Sequence, residues 1–260
     1  AEGNIDFRGD IVIHGNVESG VNIRATGSIT IDGVAEACML EAGKDIILRG
    51  GMLGGNKASV KTKGAITAKF FEFTNILCEG DLQADVLMDC SVICHGQIRL
   101  TGRKGSIIGG KVQAIRGLIA TSLGNDAEKR TEIFVGAGID VYSRLRVMEK
   151  KIEMTREELA KIEEGLEKFE ILSKERGVSY TNDPRRTSLL RIKIKDSAML
   201  ASDEEEVRKL RILAESSKGA CVSVLQEIYP GVVINMDELK LGLKDMATGV
   251  EFYKLPDKIG

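Results

Sequence analysis

The chain has 260 residues, and its 37 lysines and arginines nearly balance 39 aspartates and glutamates, for a net charge of −2. This balance argues against a basic nucleic-acid binder and against a strongly acidic tail protein. Hydrophobic residues make up 43% of the chain, which is enough for a buried core and excludes disorder throughout, and no apolar run approaches a membrane span.

Glycines and charges divide the chain into three segments. Of the 29 glycines, 22 lie at or before Gly138, and only Gly165 and Gly177 fall between residues 140 and 218. That middle stretch is dense in charge, whereas short β-branched runs resume after it. We therefore expect a β-helix over residues 1–139, a helical hairpin over 140–218, and C-terminal strands over 219–260 that complete or cap the β-helix.

A short motif recurs in the first segment. It consists of an apolar residue, a spacer, a small residue, a corner that contains glycine, and then isoleucine or leucine. The corner glycines Gly64, Gly80 and Gly96 are 16 residues apart, which is too short for a strand–helix–strand unit but sufficient for one coil of a solenoid. Copies of the motif begin at Ile23, Leu40, Val60, Ile76 and Val92.

Side chains alternate along each copy of the motif. Ile23 and Ala25 share one parity and Ile29 continues it after the corner, so these residues are predicted to face inward. Stacking the copies puts Cys78 and Cys94 at the position of Ala25, which explains both cysteines by size. The five cysteines form no zinc-ligand spacing, so we interpret them as core residues in a reducing cytoplasm. The corner glycines are expected to relieve the φ restriction of a sharp bend.

Two folds suit short strands separated by glycine. A β-sandwich usually has longer, irregularly spaced strands and a larger aromatic core, whereas this chain has no tryptophan, 7 phenylalanines and 4 tyrosines. We therefore favour a mainly β fold with an α insertion, namely a right-handed parallel β-helix that carries an antiparallel coiled-coil hairpin.

The first predicted helix has a long apolar seam. Apolar residues alternate at spacings of four and three, and charge fills most of the remaining positions, as in a coiled coil. The pattern fades near Ser173, and Gly177 is suited to cap the helix. The seam comprises Val141, Leu145, Met148, Ile152, Thr155, Leu159, Ile162, Leu166 and Phe169.

A second helix is predicted from about Arg185 to Lys218, after the reversal signal Asn182-Asp183-Pro184. Two helices of similar length joined by a short turn predict an antiparallel hairpin. The seam of the second helix is less regular and comprises Leu189, Ile192, Met199 or Leu200, Val207, Leu210, and Leu213 or Ala214.

Several motifs, taken in order along nearly the whole chain, resemble the core domain of the bacterial flagellar assembly protein A family. No single motif is decisive, but the ordered set is fairly specific. The coiled coil contributes to the resemblance. The other motifs are Gly3-Asn4-Ile5-Asp6-Phe7, Gly9-Asp10-Ile11, Glu41-Ala42-Gly43-Lys44-Asp45-Ile46, Gly50-Gly51-Met52-Leu53-Gly54-Gly55, Lys104-Gly105-Ser106-Ile107-Ile108-Gly109-Gly110, and Tyr229-Pro230-Gly231-Val232 with Ile234.

The resemblance implies a cytoplasmic bacterial protein that serves flagellar assembly or placement through protein contacts. It also implies an additional N-terminal domain before this stretch, and the absence of a starting methionine at Ala1 suits a piece of a longer protein. We expect no cofactor, no metal and no nucleic acid, with other proteins as partners, including flagellar or polar-localisation components, and a homo-oligomer remains open.

Three functions compete on this fold. The favoured one is a non-catalytic protein-binding scaffold, with the β-helix as a rigid rod and the hairpin as the recognition arm. The second is a self-assembling cytoskeletal protein similar to the bactofilin family, which stacks end to end. The third is a β-helix enzyme acting on polysaccharides, which would need clustered carboxylates beside an aromatic platform.

One stretch mimics a phosphate-binding loop. Gly105 and Gly110-Lys111 have the spacing of that motif, but Val112 replaces the hydroxyl residue that binds magnesium. The residues that follow have a strand pattern, whereas phosphate binding of this kind needs a helix N-terminus. We therefore predict a solenoid corner here.

Basic residues concentrate near the predicted hairpin tip. No acidic residue interrupts them, so they form a candidate patch for a partner-binding contact, and the alternative is a solvated helix face. The patch comprises Arg185, Arg186, Arg191, Lys193 and Lys195.

Overall fold

The structure is a computed structural model that describes residues 3–102, 104–255 and 258–260, apart from the side chains of residues 139 and 140. It separates into two compact units, Ala1–Ile139 with Ser216–Gly260, and Asp140–Glu215. The first unit is built from strands and the second from two helices, so the predicted mainly β solenoid with two inserted helices is confirmed.

The regular elements follow one another closely along the chain. They are β1 (Ile5–Phe7), β2 (Ile11–Ile13), β3 (Asn22–Ala25), β4 (Ile29–Ile31), β5 (Ala35–Glu36), β6 (Met39–Ala42), β7 (Ile46–Leu48), β8 (Met52–Thr62), β9 (Ile66–Ala68), β10 (Phe70–Cys78), β11 (Leu82–Gln83), β12 (Val86–Met88), β13 (Ser91–Cys94), β14 (Ile98–Leu100), β15 (Ser106–Ile108), β16 (Gly110–Ala114), β17 (Leu118–Leu123), β18 (Thr131–Val135), α1 (Gly138–Arg176), α2 (Pro184–Ser216), β19 (Cys221–Ile228), β20 (Val232–Met236), β21 (Leu239–Gly242) and β22 (Ala247–Tyr253).

The strands up to β20 stack in parallel on three faces, and this parallel stacking excludes the β-sandwich alternative. The first face runs through β1, β3, β6, the ends of β8 and β10, β13, β16, β18 and β20. The second runs through β2, β4, β7, β9, β11, β14 and the starts of β17 and β19. The third runs through β5, the starts of β8 and β10, β12, β15 and the ends of β17 and β19.

Inward side chains form aliphatic columns that fill the solenoid. On the second face, Ile29, Ile46, Ile66, Leu82 and Ile98 stack in register and are fully buried. Burial of each such side chain is worth roughly 1.5–3 kcal/mol relative to exposure, so the columns supply the main driving force for stacking. The predicted inward parity and the shared column of the two cysteines are both confirmed.

Corner glycines are required by close stacking of the coils. A Cβ at Gly80 would lie 2.7 Å from the backbone of Gly64, and a Cβ at Gly96 would lie 2.4 Å from the carbonyl oxygen of Gly80. Neither glycine has a positive φ, so our expectation that these glycines relieve a φ restriction is wrong. They are glycines because each corner rests directly on the corner of the coil before it.

A different corner does use the left-handed backbone conformation. Asn56, Phe73 and Asp89 have φ values of 60°, 46° and 50° where the chain passes from the third face to the first. Non-glycine residues rarely adopt this conformation, which is a genuine outlier for a bulky phenylalanine. The glycine pattern in the sequence therefore did not mark this corner in every coil.

The C-terminal segment first extends the solenoid and then closes its end. β19 and β20 pair in parallel with β17 and β18, so they add a further coil. β21 and β22 then run antiparallel to β20 and β19. The reversed strands occupy the edges on which another parallel coil would otherwise stack.

The two helices enter the chain at a corner. Earlier coils pass from the first face to the second through three residues, such as Ile115-Arg116-Gly117 between β16 and β17. Between β18 and β19 the same passage contains the whole hairpin. α1 ends before Gly177, which has a φ of 63°, and the Asp183 carboxylate accepts a hydrogen bond from the Arg185 N–H at 2.8 Å to begin α2.

Burial confirms the seam of α1 and corrects that of α2. In α1, each predicted seam residue from Val141 to Phe169 is buried or half-buried. In α2, Ile192 is exposed, whereas Lys193 is half-buried and Asp203 is buried. Ile192 is therefore not a seam residue, because charged side chains occupy the inward positions on either side of Leu200.

Candidate interaction surfaces

The helical hairpin is held together along its length by ion pairs between its two helices. Partners that lie further along α1 lie earlier in α2 across the Arg144–Glu206, Arg156–Glu204 and Glu163–Lys193 pairs, which establishes the antiparallel arrangement. Exposed pairs between the helices include Arg144–Glu206, Glu149–Arg211, Arg156–Glu204 and Glu163–Lys193. The Glu149, Arg156 and Glu163 pairs have N–O distances of 2.6–2.8 Å.

A polar pair lies within the hydrophobic seam. The Lys151 ammonium is 2.7 Å from Asp203 Oδ2, and Asp203 is buried beside Val207. Thr155, the polar residue of the α1 seam, donates a hydrogen bond to the Lys151 carbonyl oxygen at 3.0 Å. A polar pair at one seam position favours one register of the two helices, because a shifted register leaves the carboxylate buried without its cation.

The predicted basic patch is distributed around α2. The Arg185 side chain is 84% exposed and its Nε lies 3.5 Å from Asp183, while Arg191 and Lys195 are exposed. Arg186 is half-buried, and the Lys193 ammonium is 2.8 Å from Glu163 of α1. Arg185, Arg191 and Lys195 are therefore the members whose cationic groups reach the solvent most fully.

The outward-facing side chains of the first face change from charged to largely apolar along the stack. Near the start, Asp6, Arg24, Glu41 and Lys61 alternate in charge, and Arg24 lies 3.0 Å from Glu41. Further along, the same column becomes largely apolar. Its members there are Leu77, Ile93, Gln113 and Phe134, with the Lys111 ammonium 4.5 Å from the centre of the Phe134 ring.

Two surface pockets of about 390 Å³ each flank the corner that contains Phe73. One is polar and includes Asn75, Ser91 and Lys111, and three of its charged residues are already paired, Asp89 with Lys129 and Arg130 with Glu132. The other has an apolar floor that includes Phe70, Val86 and Met88. The sequence did not reveal either pocket, because each depends on how neighbouring coils align.

The N-terminal end of the stack is less closed than the other. β1 pairs with β3 and β2 pairs with β4, and the structure describes no strand on their outer edges. Ile5, Ile11 and Ile13 pack against the core but are only half-buried.

The glycine motif that mimics a phosphate-binding loop lies in strands. Lys111 belongs to β16, and the residues directly after it continue that strand rather than begin a helix, so the solenoid corner predicted for this stretch is what the structure contains. Asp10, Asp45 and Asp81 instead serve corners, where each accepts a hydrogen bond from an N–H of the next coil at 2.7–2.8 Å. The described residues contain no group of three or more histidine, cysteine or acidic side chains that could hold a metal ion.

Neither long helix offers a membrane span. Within the described parts of the chain, no helix combines the length and the apolar content needed to cross a bilayer.

Comparison with known proteins gives one match. A family model described as the flagellar assembly protein A beta solenoid domain matches residues 1–259. The curated proteins and the solved structures that were compared contain no match.

Proposed function

Because the chain belongs to the flagellar assembly protein A β-solenoid family, we propose that it serves flagellar assembly as a non-catalytic protein-binding scaffold. In this proposal the solenoid is the rigid body and the hairpin is the arm that contacts other proteins, including flagellar or polar-localisation components. The family membership and five free cysteines support a bacterial cytoplasmic location.

The observation that carries the proposal is the hairpin itself. A corner that needs three residues elsewhere contains helices of 39 and 33 residues here, and many of their charged side chains are exposed. The solenoid core is built from columns of its own strands, so its stacking does not depend on such an insertion. An insertion of this size is suited to provide a contact surface rather than to stabilise the stack.

The closed end of the solenoid favours a scaffold over a polymer. End-to-end stacking that continues the solenoid needs an open coil edge at both ends of the rod, whereas the antiparallel strands β21 and β22 cover the last coil here. Sedimentation velocity measures this directly, and we expect a small species at micromolar concentration. Filaments that sediment at that concentration would favour the bactofilin-like alternative.

The carboxylates of the solenoid give little support to the alternative that the protein is an enzyme acting on polysaccharides. The aspartates at the corners accept backbone hydrogen bonds between coils, and Glu41, Glu132 and Asp89 pair with basic side chains. These carboxylates therefore already have structural partners.

Deletion of the hairpin tests the function. We would replace residues 136–221 by Ile-Arg-Gly, the corner that joins Ala114 to Leu118, and capture partners from a flagellated bacterial lysate with identification by mass spectrometry. We expect the deletion to lose flagellar or polar components that the intact chain captures. An unchanged set of captured proteins, with thermal unfolding showing an intact solenoid, would refute the hairpin as the recognition arm.

The basic patch is part of this proposal and has its own test. We propose that Arg185, Arg191 and Lys195 contribute to partner contact, while Lys193 holds Glu163 across the hairpin. Arg185→Glu with Lys195→Glu should reduce capture, and Lys150→Glu with Lys174→Glu, at two exposed lysines of α1 outside the patch, serves as the charge-matched control. Equal capture by both variants would exclude the patch.

A further inference from the structure

One flank of the hairpin carries exposed apolar residues in line. Val147 and Met154 are 69% and 56% exposed on α1, and Ile192 and Met199 are 42% and 39% exposed on α2. Large apolar side chains exposed along a continuous line are unusual for a solvated coiled coil, whose outer positions are normally polar. These four residues are called the flank stripe below.

Ion pairs across the hairpin place the four residues on the same side. Arg144 contacts Glu206, and Val147 lies three residues after Arg144, on the same side of α1, with Met154 seven residues further. Met199 lies seven residues before Glu206 and Ile192 seven before that, so both share the side of α2 that Glu206 occupies.

The flank stripe is long enough to accept a helix. Ile192 precedes Lys193, which contacts Glu163, so the stripe extends from Val147 to the level of Glu163. At 1.5 Å per residue, this distance is about 24 Å, or roughly four helical turns. Residues spaced by seven along a helix are those that receive side chains of a neighbouring helix in coiled-coil packing.

Charge on the same flank is mostly positive. Seven basic residues accompany three acidic ones, and no ion pair of Lys161, Lys168 or Lys195 occurs among the described residues. The opposite side, marked by the Arg156–Glu204 and Arg211–Glu149 pairs, is richer in glutamate on α1. The ten residues of the flank are Arg144, Lys151, Lys161, Lys168, Arg185, Lys195, Lys209, Glu158, Glu175 and Glu206.

We propose that the flank stripe docks an amphipathic helix of a partner protein whose apolar residues repeat every seven positions and whose margins are acidic. The partner's apolar line packs on Val147, Met154, Ile192 and Met199, and its glutamates lie beside Lys161, Lys168 and Lys195. This inference rests on the proposed function, since it assigns the contact surface of the hairpin and the chemistry of its partner.

The composition of the stripe distinguishes a helix from a lipid surface. Helices that lie in a membrane interface commonly insert tryptophan, phenylalanine or leucine, whereas the stripe consists of valine, isoleucine and two methionines. Methionine adapts its shape to a protein partner, and it is common on surfaces that bind helices.

A pair of synthetic helical peptides tests the proposal with the full chain. The first has four heptads with leucine at the two seam positions and glutamate on both margins, and the second replaces those glutamates by lysine. We expect fluorescence anisotropy to detect binding of the acidic peptide, weakened by salt. No binding of the acidic peptide, or equal binding of both peptides, would overturn the proposal.

Matched substitutions locate the binding surface. Met154→Glu with Met199→Glu should weaken binding of the acidic peptide by at least about tenfold, as removal of central apolar contacts commonly does. The control is Ile194→Glu with Ile212→Glu, which adds two glutamates at isoleucines that are 71% and 62% exposed outside the flank stripe, and it should leave affinity within about twofold. Circular dichroism checks that helix content is unchanged, and Lys161→Glu with Lys195→Glu supplies a second variant that leaves the stripe intact but should also weaken binding.

Other occupants of the flank stripe would give different results in these experiments. Binding to vesicles of phosphatidylglycerol and phosphatidylcholine that is lost in the methionine variant would replace the partner helix by a lipid surface. Self-association lost in that variant would replace it by a second copy. If deletion of the hairpin abolishes partner capture while the methionine variant captures normally, the flank assignment fails and the scaffold function stands.

Discussion

Cys78 and Cys94 lie directly opposite one another on adjacent coils, and each thiol donates to the carbonyl oxygen of the preceding corner glycine. The distance is 3.3 Å from Cys78 Sγ to Gly64 O and 3.2 Å from Cys94 Sγ to Gly80 O. One coil earlier, the Thr62 hydroxyl donates to the corner carbonyl of Lys44 in the same way. Over these three coils the column carries small side chains with a donor, whereas alanine occupies the same position at Ala25, Ala42 and Ala114 in other coils.

Buried thiols should make the fold sensitive to alkali. Burial raises the pKa of Cys38 and of Cys90 to about 11 from an ordinary 9.0. Between pH 9 and 11 the unfolded chain loses these protons before the folded chain does, so stability present below pH 9 declines by up to about 1.4 kcal/mol per pH unit for each thiol. Urea unfolding from pH 8.5 to 11 should show a steeper decline in the native chain than in Cys38→Ser with Cys90→Ser. Parallel declines would assign the sensitivity to other groups.

Glycines at equivalent corners should differ in how well they tolerate substitution by alanine, according to whether a coil precedes them. A Cβ at Gly50 would lie 2.3 Å from the backbone of Gly33, while a Cβ at Gly15, in the first coil, meets nothing within 4 Å. We expect Gly50→Ala to lower the free energy of unfolding by about 3 kcal/mol and Gly15→Ala to change it by less than about 0.5 kcal/mol. Thermal or urea unfolding measures both, and similar losses would refute direct stacking as the reason for these glycines.

Corner aspartates should act through their oxygens rather than through their charge. Asp45 Oδ1 accepts the Ala65 N–H of the next coil at 2.7 Å. Asp45→Ala removes this acceptor and should cost about 1 kcal/mol, whereas Asp45→Asn retains an oxygen and should restore most of the loss. An asparagine variant as unstable as the alanine variant would show that the charge is what matters.

Removing one partner of the Lys151–Asp203 pair should destabilise the hairpin more than replacing both partners by apolar residues. Lys151→Met leaves the buried Asp203 carboxylate without its cation and should destabilise the hairpin by about 1–2 kcal/mol, since the lysine is half exposed. Adding Asp203→Leu should recover that loss, because two apolar residues then pack in the seam. Helix melting followed by circular dichroism measures both variants, and failure of the second change to recover stability would argue against the buried pair as the cause.

The solenoid could be predicted because its repeat is short and its inward residues alternate. The motif copies from Ile23 to Val92 identified the first two faces and their corners. The third face was not identified as such, because β8 and β10 continue through a corner and Phe73 interrupts the pairing of these two strands. The alternation of hydrophobic residues in the sequence does not reveal such an irregularity.

The α2 seam was missed at Ile192 for an energetic reason. A periodicity count treats lysine and aspartate as solvent-facing, yet the Lys193 side chain is half-buried with its ammonium at Glu163, and Asp203 is buried at Lys151. Once those two positions face inward, Ile192 and Met199 are displaced to the flank. The partners that make this arrangement acceptable lie on the other helix, beyond the range of any local pattern.

Direct contact between successive corners restricts how such a chain can change in length during evolution. Apart from the step that contains the hairpin, equivalent positions on the first face are separated by 16 to 21 residues, as from Val60 to Ile76 and from Val112 to Ile133. A duplication or loss that shifts a corner out of register with the coil before it would bring a side chain into the space of a corner glycine. Viable length variants are therefore expected to keep the corners in register, by adding or losing complete coils, by small changes between corners, or by a segment looped out at a corner, as residues 136–220 are.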